Sequence, residues 1–340
     1  MLRIGSSVCY TVETCLDLSR EYKLNMKITG TGKLWILGTI GAVVALQMLL
    51  VSGVAHAHGG LNEGQSPWTA WNSNPLPTIL LLMVANLYLT GLARWERPSH
   101  PINNWQKLSF FSGLLFLFLA LQTPIDSLAE HHFFIHQIQH IILRMFGSLL
   151  ILLGAPMTPM LRGLPRWALR GVVRPLVMNR RVRGLYDLIT NPVLTTVLFL
   201  TVLYIWQLPA AHNAALRNAA LHEFMHFTML LSGFLFWWLV VDPKPHRSRM
   251  HYGLRILYLG LIIIPNTVMG AAITFTDHVI YQAYADVEQP LGISLMTDQQ
   301  LGGAILWVPG DMMSLLVAGI VMIMWYQSEA EKEPQDIRPR

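Results

Sequence analysis

Long apolar runs alternate with short polar connections along this chain. After residue 76 seven such runs follow one another, at about 77–93, 105–122, 131–155, 191–209, 221–241, 252–276 and 302–326. A helix needs about 20 predominantly apolar residues to cross a bilayer. Inside lipid the backbone amides must be satisfied within the segment, which a helix achieves by itself. The pattern predicts an all-α, polytopic integral membrane protein. Seven transmembrane helices would form a membrane domain over 77–327, followed by a cytoplasmic tail at 328–340.

An earlier apolar run, 34–54, has different flanks. Met26 precedes it with Lys27 and Lys33, and Ala55-His56-Ala57 follows it. A basic segment, an apolar segment and a small-x-small triplet are the parts of a secretory signal. Residues 26–57 thus read as a signal peptide or, uncleaved, as an extra first span. Residues 1–25, polar and mixed in charge, read as a non-native or untranslated extension, and 58–76 as an extracytoplasmic segment. Cleavage after Ala57 would leave His58 with a free amine, and amine plus imidazole is a chelate that suits Cu(II).

The charges set an orientation. Arg94, Arg97 and Lys107 follow the first run, seven arginines between Arg162 and Arg183 follow the third, and Lys244, Arg247 and Arg249 follow the fifth. The tail adds Lys332, Arg338 and Arg340. The alternate connections hold mainly Asp126, Glu130, Asp277, Asp286, Glu288 and Asp298, with Arg217 as their one arginine. Basic connections belong on the cytoplasmic side. The chain is therefore expected in the cell's inner membrane with its mature N-terminus outside. Arg162, Arg166, Arg170 and Arg174 recur every four residues, which predicts one basic face of an interfacial helix on anionic lipid.

Composition supports this reading. Hydrophobic residues make up 53% of the 340 and charged residues 13%, about half the charge of soluble proteins. That argues against a soluble enzyme. The net charge of +5 is accounted for by cytoplasmic connections, without nucleic acid as a partner. There are 2 cysteines (Cys9 and Cys15), 13 histidines and 17 methionines, so metal chemistry here would use imidazole, thioether or oxygen.

The orientation sorts the histidines. His132, His136 and His140 fall at the outer end of the third run, His222 and His226 at the outer end of the fifth, and His278 at that of the sixth. Residues four apart share a helical face, so the first three form a stripe and the next two a pair. Two such helices facing each other would build a multi-histidine site. Ionisable residues within spans usually face the interior and mark functional sites. Imidazole suits zinc, copper, iron and nickel. Met145, Met225, Met229 and Met269 on the same spans, with no cysteine among them, favour copper. His131 and His212 read as interfacial hydrogen-bonding residues. Arg144 continues the stripe inward, and Asp311 in the seventh run is its expected partner in a structural lock.

These residues resemble a known family. Ile135-His136-Gln137-Ile138-Gln139-His140 with Gly154-Ala155-Pro156 looks like the multi-span CtaG family of cytochrome c oxidase assembly factors. Trp206-Gln207-Leu208-Pro209 resembles its Trp-x-x-Pro element. His222 and His226 with Ser232-Gly233 and Phe236-Trp237-Trp238 resemble its next helix. Pro265, Gly270-Ala271, Tyr281 and Tyr284 resemble the sixth span, and Asp298-Gln299-Gln300-Leu301-Gly302-Gly303 with Trp307 the start of the last. Gln207 stands where the family often has histidine. The resemblance implies a role in maturing a haem-copper oxidase, by copper delivery or insertion at the outer face. The implied partners are an oxidase subunit or an extracytoplasmic copper chaperone.

The expected mechanism is ligand exchange rather than catalysis: His136, His140, His222 and His226 hold copper, while His132, His278 and His58 receive it, and Asp298, with Arg144 and Asp311, is structural. Three other readings use the same residues. His222-Glu223-Phe224-Met225-His226 matches the zinc-hydrolase HExxH pattern, with Glu223 as general base and His140, Asp298 or Asp311 as third ligand. Two facing helices would also suit bis-histidine haem, or a copper transporter or resistance permease.

Overall fold

The structure is a computed structural model that describes residues 67–72, 74–95, 101–242 and 250–330. The expected signal segment, His58 and most of the C-terminal tail lie outside the described residues. Among the described residues every regular element is helical. The elements are α1 (Leu76–Ala93), α2 (Asn104–Gln122), α3 (Pro124–His131), α4 (Phe133–Ile141), α5 (Ser148–Leu153), α6 (Met157–Gly163), α7 (Arg180–Ile189), α8 (Pro192–Gln207), α9 (Pro209–Leu216), α10 (Ala219–Val241), α11 (Tyr252–Thr274) and α12 (Leu295–Ala330). A π-helical turn, Ile142–Gly147, joins α4 to α5.

Among the described residues six helical stretches are long and apolar enough to cross a membrane: α1, α2, Phe133–Leu153, α10, α11 and α12. The protein is a multi-pass membrane protein. The fourth expected span is α8, whose 16 residues reach only about 24 Å. It meets α7 at a bend of 65°, and counting this pair as one span gives seven.

The chain divides into two compact units. The first takes the described parts of Met1–Leu128, Phe146–Leu194 and Val241–Arg247. In it α1 and α6 touch through their backbones. A Cβ on Gly91 would fall on the Pro159 carbonyl oxygen, and one on Gly163 on the Leu87 carbonyl oxygen. Small residues at helix crossings suit a bilayer, where close dispersion contact replaces the hydrophobic drive between helices. Arg94 then donates to the carbonyls of Arg162, Gly163 and Leu164 at 3.3, 2.9 and 3.3 Å, satisfying the open C-terminal carbonyls of α6. Tyr88 stacks on Phe110 at 3.8 Å between ring centroids and donates to the Gly154 carbonyl at 3.0 Å.

The arginine face expected at 162–174 is interrupted: Arg162 is cut off, while Arg166, Arg170 and Arg174 stand exposed on the helical stretch that runs from Arg166 to Met178. α6 ends at Gly163, and Leu164 and Pro165 are extended (ψ 143° and 149°). Proline disfavours helical backbone in the residue before it. A second π-helical turn at Leu169–Val173 shifts the register between Arg166 and Arg174.

The second unit takes Ala129–Met145, Thr195–Val240 and the described part of Ser248–Arg340. α11 and α12 pack closely because Gly270 admits Trp307 and Gly303 lies against Thr274 and the Gly270 carbonyl. Polar groups join them: Asp311 accepts from Asn266 at 2.9 Å and Thr267 at 2.6 Å, and Asn266 also donates to the Leu306 carbonyl at 3.2 Å. The expected Arg144–Asp311 pair is therefore replaced. Arg144 instead donates to the Phe199 carbonyl at 3.1 Å and lies 3.7 Å over that ring. Arg144 lies in a π turn, Ile142–Gly147, and still shares a small cavity with His140 and Asn266, while the Asp311 carboxylate is taken by Asn266 and Thr267. The Arg144 carbonyl accepts from Trp237 Nε1 at 3.2 Å.

The glycine contacts are testable. Gly91→Ala is expected to lower stability by about 1–3 kcal/mol by overpacking a backbone contact. Gly184→Ala, with nothing within 4 Å of its Cβ, is expected to leave stability unchanged or raise it slightly. Thermal melting of the detergent-solubilised variants distinguishes the two.

Candidate metal centre

The site begins with a helix terminus. His132 is extended (φ −132°, ψ 121°) and its side chain does not cap α4. The cap comes from α12: Asp298 accepts from the Phe133 and Phe134 amides, each at 2.9 Å. A carboxylate there satisfies two of the four open N–H groups and suits the positive end of the helix dipole. α4 therefore starts one residue after His132, and the expected three-histidine stripe shortens to His136 and His140. Their ring centroids lie 4.3 Å apart, as do those of His222 and His226 on α10.

The two pairs meet. His136 lies 5.2 Å from His222 and 5.7 Å from His226, and His140 lies 5.6 Å from His226, between ring centroids. One nitrogen each from His136, His140 and His226 falls within 4.8 Å of the others. His222 Nε2 is 3.4 Å from His136 Nε2. All four rings are buried. Neither ring nitrogen of His140, nor Nε2 of His226, has a hydrogen-bond partner. A buried polar atom left unsatisfied costs about 1–3 kcal/mol, so nitrogens gathered this way have the chemistry of ligands for an ion.

A fifth ring, His212, joins the group 4.9 Å from His136. The sequence pattern by itself predicts only an interfacial hydrogen-bonding role for it. The chain turns at Leu208, which is extended, and Pro209 starts α9, bringing His212 back toward the bundle. Its Nδ1 donates to the Trp206 carbonyl at 3.1 Å, and its Nε2 is 3.0 Å from the Tyr284 hydroxyl. Burial pushes its pKa down to about 4, against a smaller upward pull from the Trp206 carbonyl. Tyr284 also lies 2.8 Å from His136 Nδ1, and burial raises its pKa well above the usual range. The sequence signal for His212 is its setting, Pro-Ala-Ala-His-Asn-Ala-Ala-Leu, where small residues permit close packing on every side.

Tyr284 sits in a short 3₁₀ turn, Gln282–Asp286, which is tied down. Gln289 donates to the carbonyls of His131 and Tyr284 at 2.8 and 2.9 Å, and His131 Nδ1 donates to the Glu288 carbonyl at 2.8 Å. Tyr281 stacks on Phe133 at 4.1 Å and donates to the Gln207 carbonyl at 2.8 Å. Gln207 pairs with Gln137 through two amide bonds of 2.7 and 3.3 Å.

The other expected residues lie elsewhere. His132 is buried, with Nε2 accepting from the Leu291 amide at 3.3 Å and Nδ1 3.6 Å from Asp298; it does not join the group. Desolvation lowers its pKa against the upward pull of Asp298. His278 is exposed, with Nδ1 donating to Asp277 at 2.8 Å. Glu223 is exposed although its neighbour His222 is buried, a poor position for a general base acting on an enclosed ion. His140 and His226 pack beside His136 and His222.

The family described as cytochrome c oxidase caa3 assembly factor matches residues 86–328. Among curated relatives, an uncharacterized protein of Mycobacterium leprae is 24% identical over 273 residues, 77% of this chain and 40% of the relative. Uncharacterized proteins of Mycobacterium bovis and Mycobacterium tuberculosis are each 26% identical over 270 residues, with the same coverage. The chain thus spans about two fifths of the length of the curated relatives it matches. No solved structure matches it.

The cap on α4 can be weakened without replacing any of the clustered histidines. Asp298→Asn keeps one carbonyl acceptor but removes the charge and the second acceptor. A loss of about 1–3 kcal/mol is expected, read as a lower melting temperature.

Proposed function

The chain belongs to the cytochrome c oxidase caa3 assembly factor family, and we propose that within oxidase assembly it carries copper as cargo. The observation that supports this is the set of buried imidazole nitrogens without hydrogen-bond partners on His140 and His226, grouped with His136. His136, His140 and His226 hold the ion, and His222 exchanges with them. Neutral imidazoles suit copper among the borderline metals, and a site without thiolate or carboxylate ligands releases its ion more readily than a closed charged one.

In this reading the basic connections lie on the cytoplasmic side and the cluster at the outer face. Exposed His278, beside Asp277, is better placed than enclosed His132 to make first contact with the ion, and His58 precedes the described part of the chain. The partner is an oxidase subunit or an extracytoplasmic copper chaperone. The chain acts as an assembly factor rather than as an enzyme.

A permease fits less well. Beyond His140 a cavity of about 20 Å³ is lined by Arg144, Met145, Met229 and Asn266, among others. That is room for a water, and a guanidinium in its wall repels a cation on its way inward. The cargo therefore leaves by the face at which it arrived.

Replacing His136, His140, His222 and His226 together by asparagine is expected to lower both oxidase copper content and oxidase activity in membranes. Glu223→Gln should leave both at the wild-type level, whereas a metalloprotease would lose its activity. Normal copper content in the fourfold variant, with the protein present at normal abundance, would falsify the proposal.

A further inference from the structure

A chain of hydrogen bonds beside the cluster decides which nitrogen of His136 faces the ion. The Trp206 carbonyl can only accept, so the proton of His212 sits on Nδ1, at 3.1 Å. His212 is buried with a carbonyl and a hydroxyl as its partners. A charged ring is disfavoured there, so Nε2 keeps its lone pair. That lone pair takes the single hydroxyl proton of Tyr284 at 3.0 Å. The Tyr284 oxygen is left as an acceptor, and His136 Nδ1, 2.8 Å away, must donate to it. Nε2 of His136 is then unprotonated, 3.4 Å from His222 Nε2.

We propose that Tyr284 and His212 are positioning residues: their relay holds His136 in the Nδ1–H tautomer and so presents its Nε2 lone pair to copper. This rests on the reading of the cluster as a copper site. Metal-binding histidines generally donate their second N–H to an oxygen, which fixes the ring and raises its basicity. The Tyr284 hydroxyl fills that role for His136. His140 has no partner at either nitrogen, so no hydrogen bond sets its tautomer. His136 is the anchoring ligand and His140 a labile one. Tyr284 is itself held from both sides, by the 3₁₀ turn that carries it and by Gln289 on its carbonyl.

The test uses the full-length protein in detergent and Cu(I) in competition with a colorimetric chelator under reductant. Y284F keeps the ring and loses only the hydroxyl. Its Cu(I) affinity is expected to fall about 10–100-fold, with little change in melting temperature. Nitrogen-15 NMR of the metal-free chain should find His136 protonated on Nδ1 in the wild type and a mixture of tautomers in Y284F. Unchanged affinity in Y284F, or a wild-type His136 protonated on Nε2, overturns the proposal. Should Y284F fail to fold, H212N serves in its place, since asparagine keeps a donor for the Trp206 carbonyl while removing Nε2. If the wild-type chain takes up no copper, the copper reading of the cluster fails, while the ring-nitrogen signals still decide the tautomer.

Discussion

Asp298 holds the first two amides of α4, and so sets the level at which His136 and His140 stand. The residue belongs to α12, more than 150 positions along the chain, so the helix that bears half the cluster is started by the last of the described helices. Removing two open N–H groups at a buried helix end is favourable in itself. Here it also decides register, since a start one residue earlier would place His132 on the helix. Gly302, one turn along α12, leaves the space that Phe133 fills. Cap and packing therefore bring the two helices together at one point.

The cluster above this cap is a problem in hydrogen bonding. Imidazoles within an apolar bundle are cut off from water, and each nitrogen needs a partner. His212 meets this need with a carbonyl and a hydroxyl, and His136 meets half of it with the same hydroxyl. His140 does not meet it at all. The gradient from satisfied to unsatisfied rings separates residues held by hydrogen bonds from those whose nitrogens are left open.

Deeper in the second unit the polar groups have other duties. Asp311, Asn266 and Thr267 tie α11 to α12, and Arg144 lies against Phe199. Such groups in spans face the interior and pair with one another or with backbone carbonyls, as these do. The guanidinium beside the small cavity under His140 also gives the site an electrostatic floor.

Periodicity alone determined the helical, multi-span architecture, because lipid leaves a spanning backbone so few ways to satisfy its amides. It also paired His136 with His140 and His222 with His226, because an i,i+4 relation needs nothing beyond a continuous helix. Tertiary structure decided the rest. His132 left the stripe because a distant carboxylate sets where α4 begins. Arg144 and Asp311 stayed apart because Asn266 and Thr267 hold the carboxylate and Phe199 receives the guanidinium. His212 and Tyr284 joined because a proline-initiated helix and a 3₁₀ turn folded back against the bundle. Local spacing reports which side chains share a face. Caps, bulges and returning loops, which depend on contacts far apart in the chain, decide which faces meet.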